Sequence, residues 1–273
     1  VTAVLLPGVP SECRYLAEHC LLPYLAQLHG QVIRSHDLRI FGLTEPQVQE
    51  LLSDLLRRED DLTLAPYAGT GEVSLHLSAR AADEAACEAR MAPLLAEVRQ
   101  RLGGYLYGED ISGLEEAVFR LCRDRHLTLS AAESCTGGLI AKRLTDVPGA
   151  SQIFLGGVVS YTNEVKNHVL GVPASLLEAY GAVSAPVARA MAVGVRVLTG
   201  SDLSLSVTGL AGPGGDDRGT PVGTVFTALS APEGVFVRRL TLGGSRERIR
   251  VLSAHHAFDL LRRYLTDQMT EGE

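Results

Sequence analysis

The stretch that most constrains this chain is residues 127–145, LTLSAAESCTGGLIAKRLT. Residues 127–131 form an apolar run of the length of a short buried strand. Small polar side chains take over at Glu133, Ser134, Cys135 and Thr136. Gly137-Gly138 then leads into Leu139, Ile140, Leu144 and Val147 at helical spacing. The pattern is strand, tight polar turn, helix. Such a turn sets hydroxyls and a thiol beside the free N–H groups of a helix N-terminus, a place that favours anions and developing oxyanions. Ser and Thr in front of a helix are ordinarily caps, and this stretch alone leaves both readings open.

The surrounding sequence places the turn in a layered α/β unit over residues 114–273. After the focal helix, residues 153–160 read as a glycine-containing strand, and Tyr161 to Lys166 begin a helix or turn. Pro173 opens a short helix to Tyr180-Gly181, and Ser184 with Pro186 starts another that runs to Leu198. Residues 203–207 read as a buried strand that ends in the glycine-rich loop Thr208 to Gly215. Two antiparallel strands follow at 222–229 and 234–242, and Gly244-Ser245 caps a final helix over 246–265. Helices between strands, with a hairpin near the end, predict a three-layer α/β/α mixed sheet covered on both faces. In such a sheet ligands sit where loops leave strand ends.

Residues 31–107 alternate as β-α-β-β-α-β, the order of a small α+β split-βαβ unit. Strands fall at 31–40, 62–65, 72–79 and 105–107. Helices fall at 44–56, with Thr44 as cap and Pro46 in the first turn, and at 83–102 behind Asp83. Ala68-Gly69-Thr70-Gly71 looks like a phosphate loop, but it joins two strands and reads better as a hairpin turn. The glycine-containing stretch 108–113 reads as a linker. Residues 1–30 read as a strand over 1–6, a Pro-Gly turn, and a helix with Cys13, Leu16, Ala17, Cys20 and Leu21 on one face. That abrupt strand-like opening, with Val1 in first place, suggests a segment of a longer chain.

Composition narrows the function classes. The 273 residues are 46% apolar and 21% charged, enough for a packed core. The net charge of -7 argues against a broadly nucleic-acid-binding surface. The five cysteines are scattered without metal-ligand spacing, which suits reduced thiols in a cytoplasmic protein. His255 and His256 are the only adjacent histidines, and neighbours on a helix face different ways, so no metal site is expected. No apolar run is long enough to cross a membrane, and no signal peptide is recognisable.

Ser134 is the candidate nucleophile, and a serine needs a base. No histidine lies in the neighbouring motifs. Lys166 sits at another strand-to-helix junction, behind an apolar strand that could desolvate it and bring its pKa toward neutrality; most lysines are instead solvated. Cys135 competes as nucleophile, since thiols at helix N-termini are activated. Thr136 and the Gly137-Gly138 N–H groups are candidate oxyanion or phosphate donors. Tyr161, Asn163 and Glu164 line the same junction as Lys166. Gly209 and Gly212 lie in a loop whose backbone can approach a ligand closely, while Asp216, Asp217 and Arg218 read as solvated, with a role in holding a ribose or a cation left open. Arg246 and Arg250 lie one turn apart and could hold a phosphate. A plain charged helix face is equally open.

The blocks AESCTGGLIAKRLTDVPGAS, GGVVSYTNEVKNHVLGV, GAVSAPVARAMA, SVTGLAGPGG and PVGTVF, in that order, closely resemble the C-terminal domain of the CinA (competence/damage-inducible) family. That domain also occurs alone as a nicotinamide mononucleotide deamidase. Residues 31–107 resemble the family's KH-like middle domain, and LLPGVPSE the end of its molybdopterin-binding-like N-terminal domain. The resemblance implies that most of that N-terminal domain, with its metal-dependent pyrophosphatase activity, is missing. It implies hydrolysis of the nicotinamide carboxamide to nicotinic acid mononucleotide and ammonia, with no cofactor. The family's Ser–Lys pair falls on Ser134 and Lys166; Tyr161 and Thr208 join the catalytic set. Glu133, Cys135, Thr136, Gly137, Gly138, Asn163, Gly209, Gly212 and Arg246 or Arg250 make the substrate-binding set. A homodimer is implied. The alternative is a non-catalytic ligand-binding or scaffolding protein in competence or DNA-damage response. Nucleic acid is disfavoured by the lack of a basic Gly-x-x-Gly loop in residues 31–107.

Overall fold

The computed structural model describes residues 2–28, 30–58 and 61–269, which build two five-stranded sheets. Residues 2–7 take no regular structure, so the strand expected at 1–6 is corrected over that range, and Val1 lies outside the described residues. A strand exists only by pairing, and among the described residues no strand pairs with this segment. Helix α1 (Pro10–Leu16), a π-helical turn (Ala17–Leu21) and α2 (Leu22–Leu28) follow. The first two bury no residue at all.

The first sheet holds β1 (Val32–Phe41), β2 (Arg57–Arg58), β3 (Leu62–Ala68), β4 (Glu72–Ala81) and β5 (Leu106–Glu109), with helices α3 (Glu45–Leu51) and α4 (Glu84–Leu102). Its order is β2-β3-β4-β1-β5 and every pairing is antiparallel. The Gly69-Thr70-Gly71 turn is the β3–β4 hairpin. Asp83 caps α4 by accepting the Ala86 N–H at 2.8 Å. Helix α3 stops at Leu51 instead of Leu56. Arg101 of α4 binds the Leu51 carbonyl and the Asp54 carboxylate, pulling the chain off the helical path. The stretch after β5 is tied down: the Asp110 carboxylate accepts from the Asp37 N–H and pairs with His36, and Ile111 is buried.

The second sheet holds β6 (Leu129–Glu133), β7 (Phe154–Val159), β8 (Leu203–Gly209), β9 (Thr224–Ala231) and β10 (Gly234–Thr241) in the order β10-β9-β8-β6-β7. Strand β6 runs parallel to both β7 and β8, while β9 is antiparallel to β8 and to β10. Helices α5 (Leu114–Asp124), α6 (Leu139–Asp146) and α10 (Arg246–Leu265) pack together on one face. Helices α7 (Asn163–Leu170), α8 (Ala174–Tyr180) and α9 (Ala185–Thr199) cover the other. Every residue of β6 is buried, as a central parallel strand requires.

Buried hydroxyls fasten β8 to α9 and to the loop ahead of it. Ser204 donates to the Ala192 carbonyl at 2.7 Å, Ser206 to Ala188 at 2.6 Å, and Thr208 to Ala182 at 2.7 Å. Each hydroxyl is thereby satisfied out of water. Helix α10 spans both units. Its Leu252 packs at Gly71, where a Cβ would come within 2.1 Å of Leu252, and His255 and His256 lie edge-on to Phe41. Among the described residues no helix is long and apolar enough to cross a membrane.

Candidate active site

The site lies where β6, β7 and β8 end side by side, Glu133 being level with both Val159 and Val207. Ser134 is the first residue beyond β6, and its N–H donates to the Val207 carbonyl at 2.9 Å, so the sheet itself fixes where the nucleophile stands. Ser160 is the corresponding first residue beyond β7. Thr162 then caps α7 by accepting the Val165 N–H, and this places Lys166 in the first turns of that helix, facing inward.

Lys166 is 1% exposed. Its Nζ donates to the Ser160 carbonyl at 2.7 Å and lies 3.1 Å from Ser134 Oγ. Neither partner stabilises an ammonium as a carboxylate would. Burial therefore dominates and lowers the lysine to about 8. A neutral amine can keep one N–H on Ser160 and turn its lone pair to the serine proton. Cys135 is buried, and burial pushes its thiol up to about 11. It is a thiol near neutral pH, so the competing reading of Cys135 as nucleophile is corrected.

An account of the backbone N–H groups around the turn shows what is free for a ligand. Glu133 is 1% exposed and faces away from the cavity. Its carboxylate accepts the N–H groups of Gly138 at 2.9 Å, Ile140 at 3.1 Å and Ala141 at 2.9 Å. It caps α6 from the strand side, which corrects its assignment to substrate binding. Gly137 donates to the Ser134 carbonyl at 3.1 Å, so neither glycine of the pair supplies an oxyanion donor, another correction. Their role is conformational: Gly137 at φ 58° and Gly138 at φ 93° turn the chain through the left-handed region. Only Cys135 and Thr136 keep N–H groups with no acceptor among the described residues. The buried Thr136 hydroxyl is also unpartnered there.

A cavity of ≈ 390 Å³ opens beside the turn, at Ser134 and Cys135. Ser134, Cys135, Tyr161, Asn163, Lys166, Thr208, Gly209, Gly212 and Arg246 of the expected set line it. Glu133, Thr136, Gly137, Gly138 and Arg250 do not. Thr208 faces the cavity, but its hydroxyl proton is engaged by Ala182. Arg246 reaches from the first turn of α10 to the Gly212 carbonyl and to the Tyr161 hydroxyl at 2.9 Å. Arg250, one turn on, donates to the carbonyls of Cys135 at 3.2 Å and Thr136 at 2.7 Å. The shared helix face therefore splits into one arginine at the cavity and one behind the turn.

Sequence reasoning missed one contributor. The Ser160 carbonyl holds the lysine, and a backbone acceptor leaves no signal in the sequence. Arg218 is exposed, as expected, and also lines the cavity and clamps its loop to the end of α8 through the carbonyls of Ala179 at 3.1 Å and Glu178. Asp216 holds the same loop by accepting the N–H groups of Arg218 and Thr220. Among the described residues no group of three His, Cys, Asp or Glu side chains could hold a metal ion.

Comparisons with known proteins agree with this architecture. The family described as the CinA C-terminal domain matches residues 111–265, and the KH domain of damage-inducible protein CinA matches residues 35–108. A competence-damage inducible protein of Caldanaerobacter subterraneus is 47% identical over 262 residues, covering 96% of this chain and 63% of its own length. One from Symbiobacterium thermophilum is 48% identical over 274 residues, covering 96% and 64%. The chain thus spans less than two thirds of the length of these relatives. Among solved structures, a CinA superfamily protein from Klebsiella pneumoniae is 32% identical with a TM-score of 0.55, over 56% of this chain and 96% of its own. A competence/damage inducible protein from Agrobacterium tumefaciens is 37% identical with a TM-score of 0.54, over 56% and 93%.

Proposed function

This chain belongs to the CinA family, and on that premise we propose that it hydrolyses the carboxamide of nicotinamide mononucleotide to nicotinic acid mononucleotide and ammonia. The observation that carries the reading is a buried lysine, lowered to about 8, at 3.1 Å from a serine hydroxyl at the floor of a cavity. Neutral Lys166 takes the Ser134 proton as Oγ attacks the amide carbon. The resulting ammonium delivers that proton to the leaving nitrogen, ammonia departs, and an ester to Ser134 remains. Water, deprotonated by the same lysine, attacks the ester carbon; the ammonium returns that proton to Ser134 Oγ as the ester bond breaks, and the acid is released.

Tetrahedral oxyanions form in both halves and need donors already in place. The Cys135 and Thr136 N–H groups meet that need, one residue earlier than the sequence suggested. Tyr161, 59% exposed at the rim, suits the pyridine ring. Arg246, steadied by Gly212 and Tyr161, keeps further N–H groups for the phosphate. The resemblance also implies a homodimer, which sedimentation of the purified chain would check.

The test is ammonia release from the mononucleotide, with the riboside and free nicotinamide as controls, for wild type and Lys166→Ala. We expect turnover of the mononucleotide alone, lost in the variant. No ammonia from folded wild type would overturn the deamidase and leave the ligand-binding alternative.

A further inference from the structure

We propose that Arg250 is a positioning residue for the Thr136 N–H as an oxyanion donor, aiming and polarising the turn that carries Ser134; this rests on the reading of Ser134 as an acylated nucleophile. In a trans peptide the carbonyl and the following N–H point in opposite directions. Arg250 Nε holds the Cys135 carbonyl at 3.2 Å, so the Thr136 N–H points away from the guanidinium. Arg250 Nη2 holds the Thr136 carbonyl at 2.7 Å, which turns the Gly137 N–H away as well, into the Ser134 carbonyl. One guanidinium thereby sets two successive peptide planes.

The 136–137 peptide is also held by the Gly137 N–H on the Ser134 carbonyl and by the Leu139 N–H on the Thr136 carbonyl at 3.3 Å, whereas the Cys135 carbonyl has no second donor among the described residues. Glu133 fixes the N–H groups of Gly138, Ile140 and Ala141 but reaches neither carbonyl. Without Arg250 the 135–136 peptide is free to flip, and a flip puts a carbonyl oxygen where the donor stood. The cation also withdraws charge through both carbonyls and strengthens the N–H groups of the same peptides as donors. Arg250 does not line the cavity, so this role replaces phosphate binding rather than adding to it.

The experiment uses the whole chain and an alkyl fluorophosphonate as probe. Ser134 Oγ bonds to phosphorus, the P–F bond breaks, fluoride leaves, and Lys166 takes the serine proton; the phosphoryl oxygen needs the same donors as an amide. Labelling therefore reads the turn without depending on the natural substrate. Arg250→Lys keeps the charge but cannot fork across two carbonyls. It should slow labelling of Ser134 by about 100-fold, in the range for a lost oxyanion donor. Its kcat for the mononucleotide should fall in step, with KM within about twofold. Arg246→Lys should instead raise KM. If wild type is labelled but does not turn over the mononucleotide, the substrate is misassigned and Arg250 is judged on labelling alone. Labelling of Arg250→Lys at the wild-type rate would overturn the proposal, as would a wild-type Ser134 that the probe does not touch.

Discussion

The turn at residues 134–138 and the loop at residues 209–220 leave the C-terminal ends of neighbouring strands and line one cavity, yet they are held in opposite ways. In the turn, Ser134, Cys135 and Thr136 are buried, a carboxylate and a guanidinium grip the backbone, and all but two N–H groups are engaged. In the loop, Pro213, Gly214, Gly215, Asp217, Arg218 and Gly219 are exposed, and side-chain clamps from Asp216, Arg218 and Arg246 do the holding. Bond making tolerates misplacement of far less than an ångström, so the reacting groups stand on the saturated turn. Recognition of a ligand's far end tolerates more, and in the proposed reading it falls to the loop.

Breaking the rigid side should cost most. Ser134→Ala and Lys166→Met should each reduce ammonia release by about 10⁴-fold or more, measured at saturating mononucleotide. Protonation should mimic this reversibly. Lys166 acts as base only when neutral, so kcat/KM should fall about tenfold per pH unit below about 8, and Lys166 variants should lose that limb. The same lysine gives a stability signature. Its folded value of about 8 lies below the ordinary 10.5, so between these values the unfolded chain holds a proton that the folded chain lacks. Stability therefore rises with pH across that window, and a melting series on Lys166→Met should show the slope removed.

Glu133→Gln comes next. It keeps one acceptor for three N–H groups, and should lower kcat by about 10- to 100-fold and stability by about 1–3 kcal/mol in denaturant titrations. Arg218→Ala should do least, because it frees only the loop. KM should rise by less than about tenfold, with kcat within about twofold and stability within about 0.5 kcal/mol. A large kcat loss in Arg218→Ala would erase the contrast between turn and loop.

The order of the larger unit was legible because its strands are apolar runs closed by polar turns, and helix caps such as Ser245 and Asp83 carry their own signal. Boundaries set by distant partners were not. Strand β6 starts at Leu129 because Leu127 closes a turn onto Cys122 and Thr128 is held by Asp202. Two-residue β2 exists only through its pairing with β3. At the site, Ser134 and Lys166 could be read from their junctions. Sequence could not show that Glu133 turns back under α6, or that Arg246 and Arg250 end on different sides of the same turn. Both depend on directions that only the packed helices define.

The hydroxyls of Ser204, Ser206 and Thr208 also act as an index. Apolar contacts grip a helix without fixing its position along a strand, since one methyl group is much like the next. A hydroxyl reaching a particular carbonyl admits a single setting, and two in succession on one helix oppose slippage. Sliding α9 by one residue would shift it about 1.5 Å, a whole covalent bond length, and would strand Ser204 and Ser206, while Thr208 pins Ala182 in the loop ahead of the helix. Ala182, which Thr208 holds, lines the cavity opposite the turn, so that wall is a calibrated stop at a set distance from Ser134.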